Sequence, residues 1–286
     1  MTEAPRYGVS SMVEPLRRVL IRRPATTGDF AAADWRQPDP ERLLAEHEAF
    51  GELLEHLGCE VVVADPVEGM VDSVYVCDPV WTCQQGAIVL QSAKPARVGE
   101  GEAMVPELEA AGVPIVGRLT GDARADGGDM VWLDDSTLAV ARGYRTNVEA
   151  HRQLDAILAA EGASTLRFDL PHDRGADHVL HLMSFISPVA HDLAVVFEQL
   201  APVTLIQELD ARGIRRVAID EDEYLSMACN ILAVRPGVVV VLDGNPKTRR
   251  ALEAQGVEVH AYQGGDVSLK GDGGPTCLTR ELLRRA

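Results

Sequence analysis

The apolar positions of this chain follow a helix–glycine–strand rhythm that repeats along its length. The clearest unit opens at Asp39-Pro40-Glu41: an N-cap, a proline at the first helical position and an acid in the first turn. Leu43, Leu44, Phe50, Leu54 and Leu57 follow at helical spacing, and Gly58 is placed to end the helix. A run of strand-forming residues, 59–63, comes next.

The same unit recurs four times. Residues 107–111 stop at Gly112 before 113–116, and residues 146–161 stop at Gly162 before 164–168, with Thr146 and Glu149 spaced as a capping box. Residues 205–212 stop at Gly213 before 214–219, and a helix capped by Asn245-Pro246 leads through Gly256 into 257–261. The five glycines lie 54, 50, 51 and 43 residues apart, a period of supersecondary units. A doubly wound α/β sheet carries the same helix–glycine–strand signature, so the period alone leaves both architectures open. Additional apolar runs at 87–90, 130–133, 137–141, 193–197, 231–234 and 238–242 predict more strands than plain βαβ units need. They favour modules of several strands and one helix arranged around an axis. No linker or low-complexity stretch divides residues 1–286, which predicts a single domain.

Polar and reactive side chains recur at one place in this period. Asp72 and Asp78 lie 14 and 20 residues past Gly58, and Asp126 lies 14 past Gly112. His181 is 19 past Gly162, Asn230 is 17 past Gly213, and Asp272 and Cys277 are 16 and 21 past Gly256. In a pseudo-symmetric ring, equivalent positions converge on the axis. Two of these segments are glycine-rich: Asp126-Gly127-Gly128-Asp129, and Gly271-Asp272-Gly273-Gly274-Pro275-Thr276-Cys277. Such runs mark a tight turn or a close approach to the backbone.

Composition narrows the chemistry. Five cysteines in a chain without an apolar leader do not form a disulfide framework. Cys59, Cys83 and Cys229 read as core residues, and no second Cys or His pair turns Cys77 and Cys83 into a zinc clip. His181, among apolar neighbours, reads by itself as a core histidine. With 27 basic and 44 acidic residues the formal charge is −17, which argues against binding nucleic acid through its phosphates and suits a cationic small molecule. No apolar run reaches the length of a membrane span, and the expected location is cytoplasmic. No G-x-S-x-G elbow, P-loop or G-x-G-x-x-G fingerprint occurs. A cysteine with a histidine and an aspartate elsewhere in the chain remains the best catalytic set.

Six ordered motifs, from about Val19 to Leu278, resemble the dimethylarginine dimethylaminohydrolases (dimethylargininases) of the guanidino-group-modifying superfamily. They are Asp72-Ser73-Val74-Tyr75-Val76-Cys77-Asp78, Pro95-Ala96-Arg97, Asp126-Gly127-Gly128-Asp129, Tyr144-Arg145-Thr146-Asn147, His181-Leu182-Met183-Ser184 and Asp272-Gly273-Gly274-Pro275-Thr276-Cys277. The resemblance implies an α/β fold, a five-bladed propeller of ββαβ modules with the site at its centre. It implies Cys277 as nucleophile, His181 as general acid and base, and Asp126 as the acid paired with His181 and the substrate. Asp72 and Asp272 would hold the guanidinium nitrogens, Asp78 would be an acid near the site, and Arg97 and Arg145 would hold the α-carboxylate.

No cofactor and no metal are implied. The expected reaction is hydrolysis of a methylated arginine to citrulline and an alkylamine. An arginine deiminase is the nearest alternative, and a non-catalytic propeller that binds a partner is the alternative from another class. A homodimer is compatible with this reading. One position departs from the pattern: Cys77 stands where relatives often carry a charge.

Overall fold

The computed structural model of the chain describes residues 5–176, 178 and 180–285. Its strands form five separate sheets of three. In the second blade β3 (Val80–Cys83) pairs antiparallel with β4 (Gly86–Val89), which pairs parallel with β5 (Ile115–Arg118). The third repeats the pattern with β6 (Met130–Trp132), β7 (Thr137–Arg142) and β8 (Ser164–Asp169). The fourth uses β9 (Ile186–Ala190), β10 (Leu193–Val196) and β11 (Arg215–Ala218). The fifth uses β12 (Leu232–Arg235), β13 (Val238–Leu242) and β14 (Glu258–Tyr262).

The first blade is built from both ends of the chain. Strand β1 (Leu16–Arg22) pairs parallel with β2 (Glu60–Ala64) and antiparallel with β15 (Arg280–Arg284). Each blade is therefore a hairpin, a helical segment and a returning parallel strand, the ββαβ module with a five-fold pseudo-symmetry.

Burial runs in a gradient across each sheet. The first strand is fully buried in β3, β6 and β15 and nearly so in β12, whereas the third strands β2, β5 and β11 alternate with solvent. First strands of neighbouring blades pack against one another, β9 on β12 and β15 on β3, so these strands line the axis. Helix Pro40–His56 buries Leu43, Phe50 and Leu54, with Phe50 against Tyr262 of the fifth blade, and Val148–Leu158 buries Leu154 and Leu158. The five helix-stopping glycines all adopt left-handed backbone, with φ between 69° and 95°.

Local expectations differ in detail. Asp39 caps its helix as read, accepting from the N–H groups of Glu41 and Arg42. Thr146 caps nothing. Asn147 takes that role by accepting from the N–H of Ala150, while Thr146 turns inward to Asp129. The Asn245 side chain also leaves its helix and bonds to Ser226. Strands β1, β3, β9 and β15 were not among the runs read from the sequence. Among the described residues no helix is long and apolar enough to cross a membrane.

Candidate active site

In every blade the segment just before the first strand carries a polar residue. Asp72 lies in the turn Val71–Val74 and Asp78 two residues before β3; Asp126 precedes the turn Gly127–Asp129 that enters β6. His181 precedes the turn Leu182–Ser184 that enters β9, Asn230 lies two residues before β12, and Cys277 three before β15. The fold thus brings the recurring window of the sequence to one end of the axis.

The contacts there cross between blades. The Cys77 N–H donates to the Cys277 carbonyl at 3.2 Å, and the Asn230 side-chain amide donates to Cys277 Sγ at 3.2 Å. Asn230 Oδ1 also accepts from the N–H and hydroxyl of Thr276, at 3.0 and 2.6 Å, so one side chain fixes the backbone and the sulfur together. Asp78 Oδ1 accepts from the Gly128 N–H at 2.8 Å and faces His181 Nδ1 at 4.0 Å. His181 Nε2 meets Asp126 Oδ2 at 3.3 Å, and Arg145 Nη1 donates to that same oxygen at 3.2 Å. Asp126 is wholly buried, and its Oδ1 has no hydrogen-bond partner among the described residues.

The glycines of both motifs have steric causes. A Cβ on Gly127 would sit 2.1 Å from the Cys77 carbonyl oxygen, and one on Gly128 would sit 2.4 Å from His181 Nδ1. On Gly271 and Gly273 it would strike the Trp35 and Tyr75 rings, and on Gly274 the Asn230 side chain. Trp35 and Tyr75 stack on each other, 5.3 Å between centroids, and form the wall against which the cysteine loop is pressed.

Charge at the site is unbalanced toward acid. Burial disfavours the His181 imidazolium, but Asp78, Asp129 and Asp126 together outweigh it and raise the ring to about 9. Burial and the nearby Asp78 push the Cys277 thiol up to about 11, against the Asn230 hydrogen bond, which favours the thiolate. Burial also works against the charge on Asp78, yet Arg97 and His181 hold its carboxyl below the usual range. At neutral pH the empty site therefore holds a thiol beside an imidazolium.

Two predicted substrate ligands are already engaged by the protein. Asp72 accepts from the Trp35 indole N–H and the Lys94 ammonium, both at 2.7 Å. Arg97 is buried and spends its donors on Asp78, Glu100 and the Tyr75 carbonyl. Arg145 keeps donors beyond its bond to Asp126 and stands at the half-buried edge of the cluster.

Asp272 departs from expectation: its carboxylate is 58% exposed and pairs with Arg36 at 3.0 Å. Its backbone is left-handed, φ 56°, which turns the side chain out of the cluster while the loop carries on to Cys277. Cys77 is buried in the core, so no charge enters the site from that position. Cys59, Cys83 and Cys229 are buried free thiols, as read.

Two residues of the cluster had no role assigned from sequence. Asn230 fell in the repeating window, and its position there was the signal. Asp129, the second acid of the Asp126–Asp129 motif, accepts from the Leu182 N–H at 3.1 Å and the Thr146 hydroxyl at 2.6 Å, which fixes the His181 turn to the third blade.

Residues 201–284 match the arginine deiminase family model. The dimethylarginine dimethylaminohydrolase of Pseudomonas aeruginosa is 25% identical over 265 residues, 92% of this chain and 98% of that protein. The Streptomyces coelicolor enzyme of the same name is 27% identical over 176 residues, 60% of this chain and 65% of that protein. A structure of the P. aeruginosa enzyme, a cysteine-to-serine variant complexed with citrulline, superposes with a TM-score of 0.79 at 24% identity, covering 94% of this chain and all of that one. The N-terminal domain of ArgZ, a cyanobacterial arginine dihydrolase, superposes at 0.80 with 16% identity, covering 94% of this chain and 98% of that one.

With the five-bladed fold these likenesses place the chain in the amidinotransferase superfamily, as a guanidino hydrolase acting on C–N bonds of linear amidines. Within that superfamily its similarity over nearly the whole chain is to a dimethylarginine dimethylaminohydrolase.

Proposed function

We propose that the chain, residues 1–286 acting as one catalytic unit, hydrolyses an Nω-methylated arginine to citrulline and an alkylamine through a covalent intermediate on Cys277. The observation that carries this is the buried Asp126 carboxylate. One oxygen is shared by His181 and Arg145, and the other is buried without a donor. A buried carboxylate oxygen left unpaired is costly, and a guanidinium N–H supplies the missing donor. A relative described above that matches along nearly its whole length acts, by its name, on dimethylarginine.

A guanidinium carbon is a weak electrophile because its charge is delocalised, so both a thiolate and a strong proton donor are needed. In the proposed sequence the cation enters among Asp78 and Asp126 and offsets the negative field that holds Cys277 as a thiol. The thiol proton leaves to solvent, since His181 is already protonated. The sulfur attacks the guanidinium carbon, and His181 gives its proton to the departing amine as the C–N bond breaks. His181 then takes a proton from the incoming water, whose oxygen attacks the thiouronium carbon. The C–S bond breaks, the thiolate leaves and citrulline is released. Arg145, with free donors at the edge of the cluster, holds the α-carboxylate. Asn230 steadies the sulfur, and Arg97 acts from behind Asp78.

The match to the arginine deiminase model favours a second reading, release of ammonia from unmethylated arginine. The two differ only in the amine that leaves. Incubation with arginine, monomethylarginine, asymmetric dimethylarginine and agmatine, with assay of the ureido product, separates them. The proposal expects turnover of the methylated arginines above arginine. Preference for arginine would establish the deiminase, and no turnover of any of the four would overturn both.

A further inference from the structure

Glu100 opens the short helix Glu100–Ala103 and is 2% exposed. Its Oε2 accepts from Arg97 Nε and Nη2, both at 2.8 Å. Arg97 Nη1 donates to Asp78 Oδ2 at 2.5 Å, and the other oxygen of Asp78 faces His181 Nδ1. Beyond His181 stand Asp126 and Arg145. The order Glu100, Arg97, Asp78, His181, Asp126, Arg145 is a line of six adjacent groups whose charges alternate in sign.

We propose that Glu100 is a positioning residue for the reaction, setting the protonation of His181 through Arg97 and Asp78. The assignment of His181 as the acid and base rests on the function proposed above. Arg97 is one cation shared between two buried carboxylates. When Glu100 carries a charge, the field of Asp78 at His181 is only partly offset and the imidazolium is favoured. When Glu100 is neutral, Arg97 belongs to Asp78 alone and the imidazolium loses support.

Glu100 is also built to change its charge. Its Oε1 is buried without a partner among the described residues. It lines a cavity of about 270 Å³, bounded also by Asp78, Arg97, Gln91, Ser92 and Arg124. A space of this size with charged and polar groups on its wall has room for water that can deliver a proton. The charged groups facing Glu100 are Arg97, Asp78 and Asp72, with Arg124 and Glu102 on the cavity wall. Burial raises Glu100 to about 7, against the pull of Arg97.

The test is an NMR titration of the His181 ring in the full chain, without substrate, for wild type, Glu100→Gln and Glu100→Asp. The proposal expects the proton dissociation constant of His181 to rise roughly threefold or more in Glu100→Gln. Glu100→Asp, which keeps the charge, should restore the wild-type value. Equal titration of Glu100→Gln and wild type would overturn the proposal, as would an equal shift in both variants. Should Glu100→Gln not fold, the wild-type protein decides alone. The His181 signal must then inflect where the Glu100 carboxyl carbon titrates, and a single independent step refutes the coupling. For whichever guanidine is turned over, the basic limb of kcat/KM should move to lower pH in Glu100→Gln. The ring titration needs no turnover, so failure of the proposed reaction and failure of the coupling are distinguishable.

Discussion

In the proposed reaction Cys277 is an ordinary residue made reactive only by its surroundings, which would hold it back until a cation arrives. Burial and Asp78 raise its thiol to about 11, and three carboxylates raise His181 to about 9. The pair is therefore thiol and imidazolium at neutral pH, the reverse of a resting thiolate site. Inactivation by iodoacetamide measures this directly. In the empty protein its pH midpoint should lie well above neutral, and guanidinium ion should lower that midpoint, because it brings positive charge to Asp78 and Asp126. A midpoint near or below neutral in the empty protein would mean that substrate does not drive the ionisation. At the same scale the sequence was only partly informative. The reactive types and their spacing were legible, but not that Asp272 faces solvent on a left-handed backbone, nor that Lys94 and Trp35 occupy Asp72. Those depend on the path of a loop and on partners from distant segments, which spacing does not encode.

The site is assembled from short connections that lead into the first strand of each blade. Glycines allow these connections to touch: Gly127 and Gly128 press on Cys77, His181 and Asp78, and Gly271, Gly273 and Gly274 press on Trp35, Tyr75 and Asn230. Gly128→Ala should therefore displace His181 with limited damage to the blade. Overpacking of this kind costs about 1–3 kcal/mol of stability, whereas loss of alignment costs roughly a hundredfold in kcat. Thermal unfolding and turnover measured together check it; kcat within a fewfold of wild type would show that His181 tolerates the shift. The helices and third strands were legible because amphipathic helices end in left-handed glycines and lead into apolar runs. Strand β3 was not, being short and following directly on the Asp72–Asp78 segment, and β9 carries a proline inside it. Thr146 misled for a related reason: its hydroxyl has a better partner in buried Asp129 than in the helix it precedes.

At the scale of the molecule, closure depends on the last strand. Residues 280–284, Arg-Glu-Leu-Leu-Arg, carry three charges, yet all five are buried between β1 and β3. Arg280 donates to the carbonyls of Cys77 and Val80, Arg284 to those of Glu14 and Ala233, and Glu281 lies between the two arginines. Charge buried this way is tolerated only when paired, a long-range condition that hides β15 from local pattern. Strand β15 follows Cys277 by three residues, so the pairing that closes the ring also seats Cys277. Removal of residues 279–286 should abolish the cooperative thermal transition seen by circular dichroism; a variant that melts like wild type would show that the ring holds without its closing strand. The net charge of −17 is compatible with a cationic substrate drawn in by the overall field.

The central claim is that Cys277 becomes covalently attached to the guanidinium carbon, and intact-protein mass after acid quench of steady-state turnover tests it most directly. With monomethylarginine or asymmetric dimethylarginine the account predicts one adduct, heavier than the free protein by citrulline less one water, the same from either substrate and located on Cys277. It predicts neither adduct nor citrulline from Cys277→Ser. Sustained citrulline formation by Cys277→Ser, or an adduct on another residue, would contradict it.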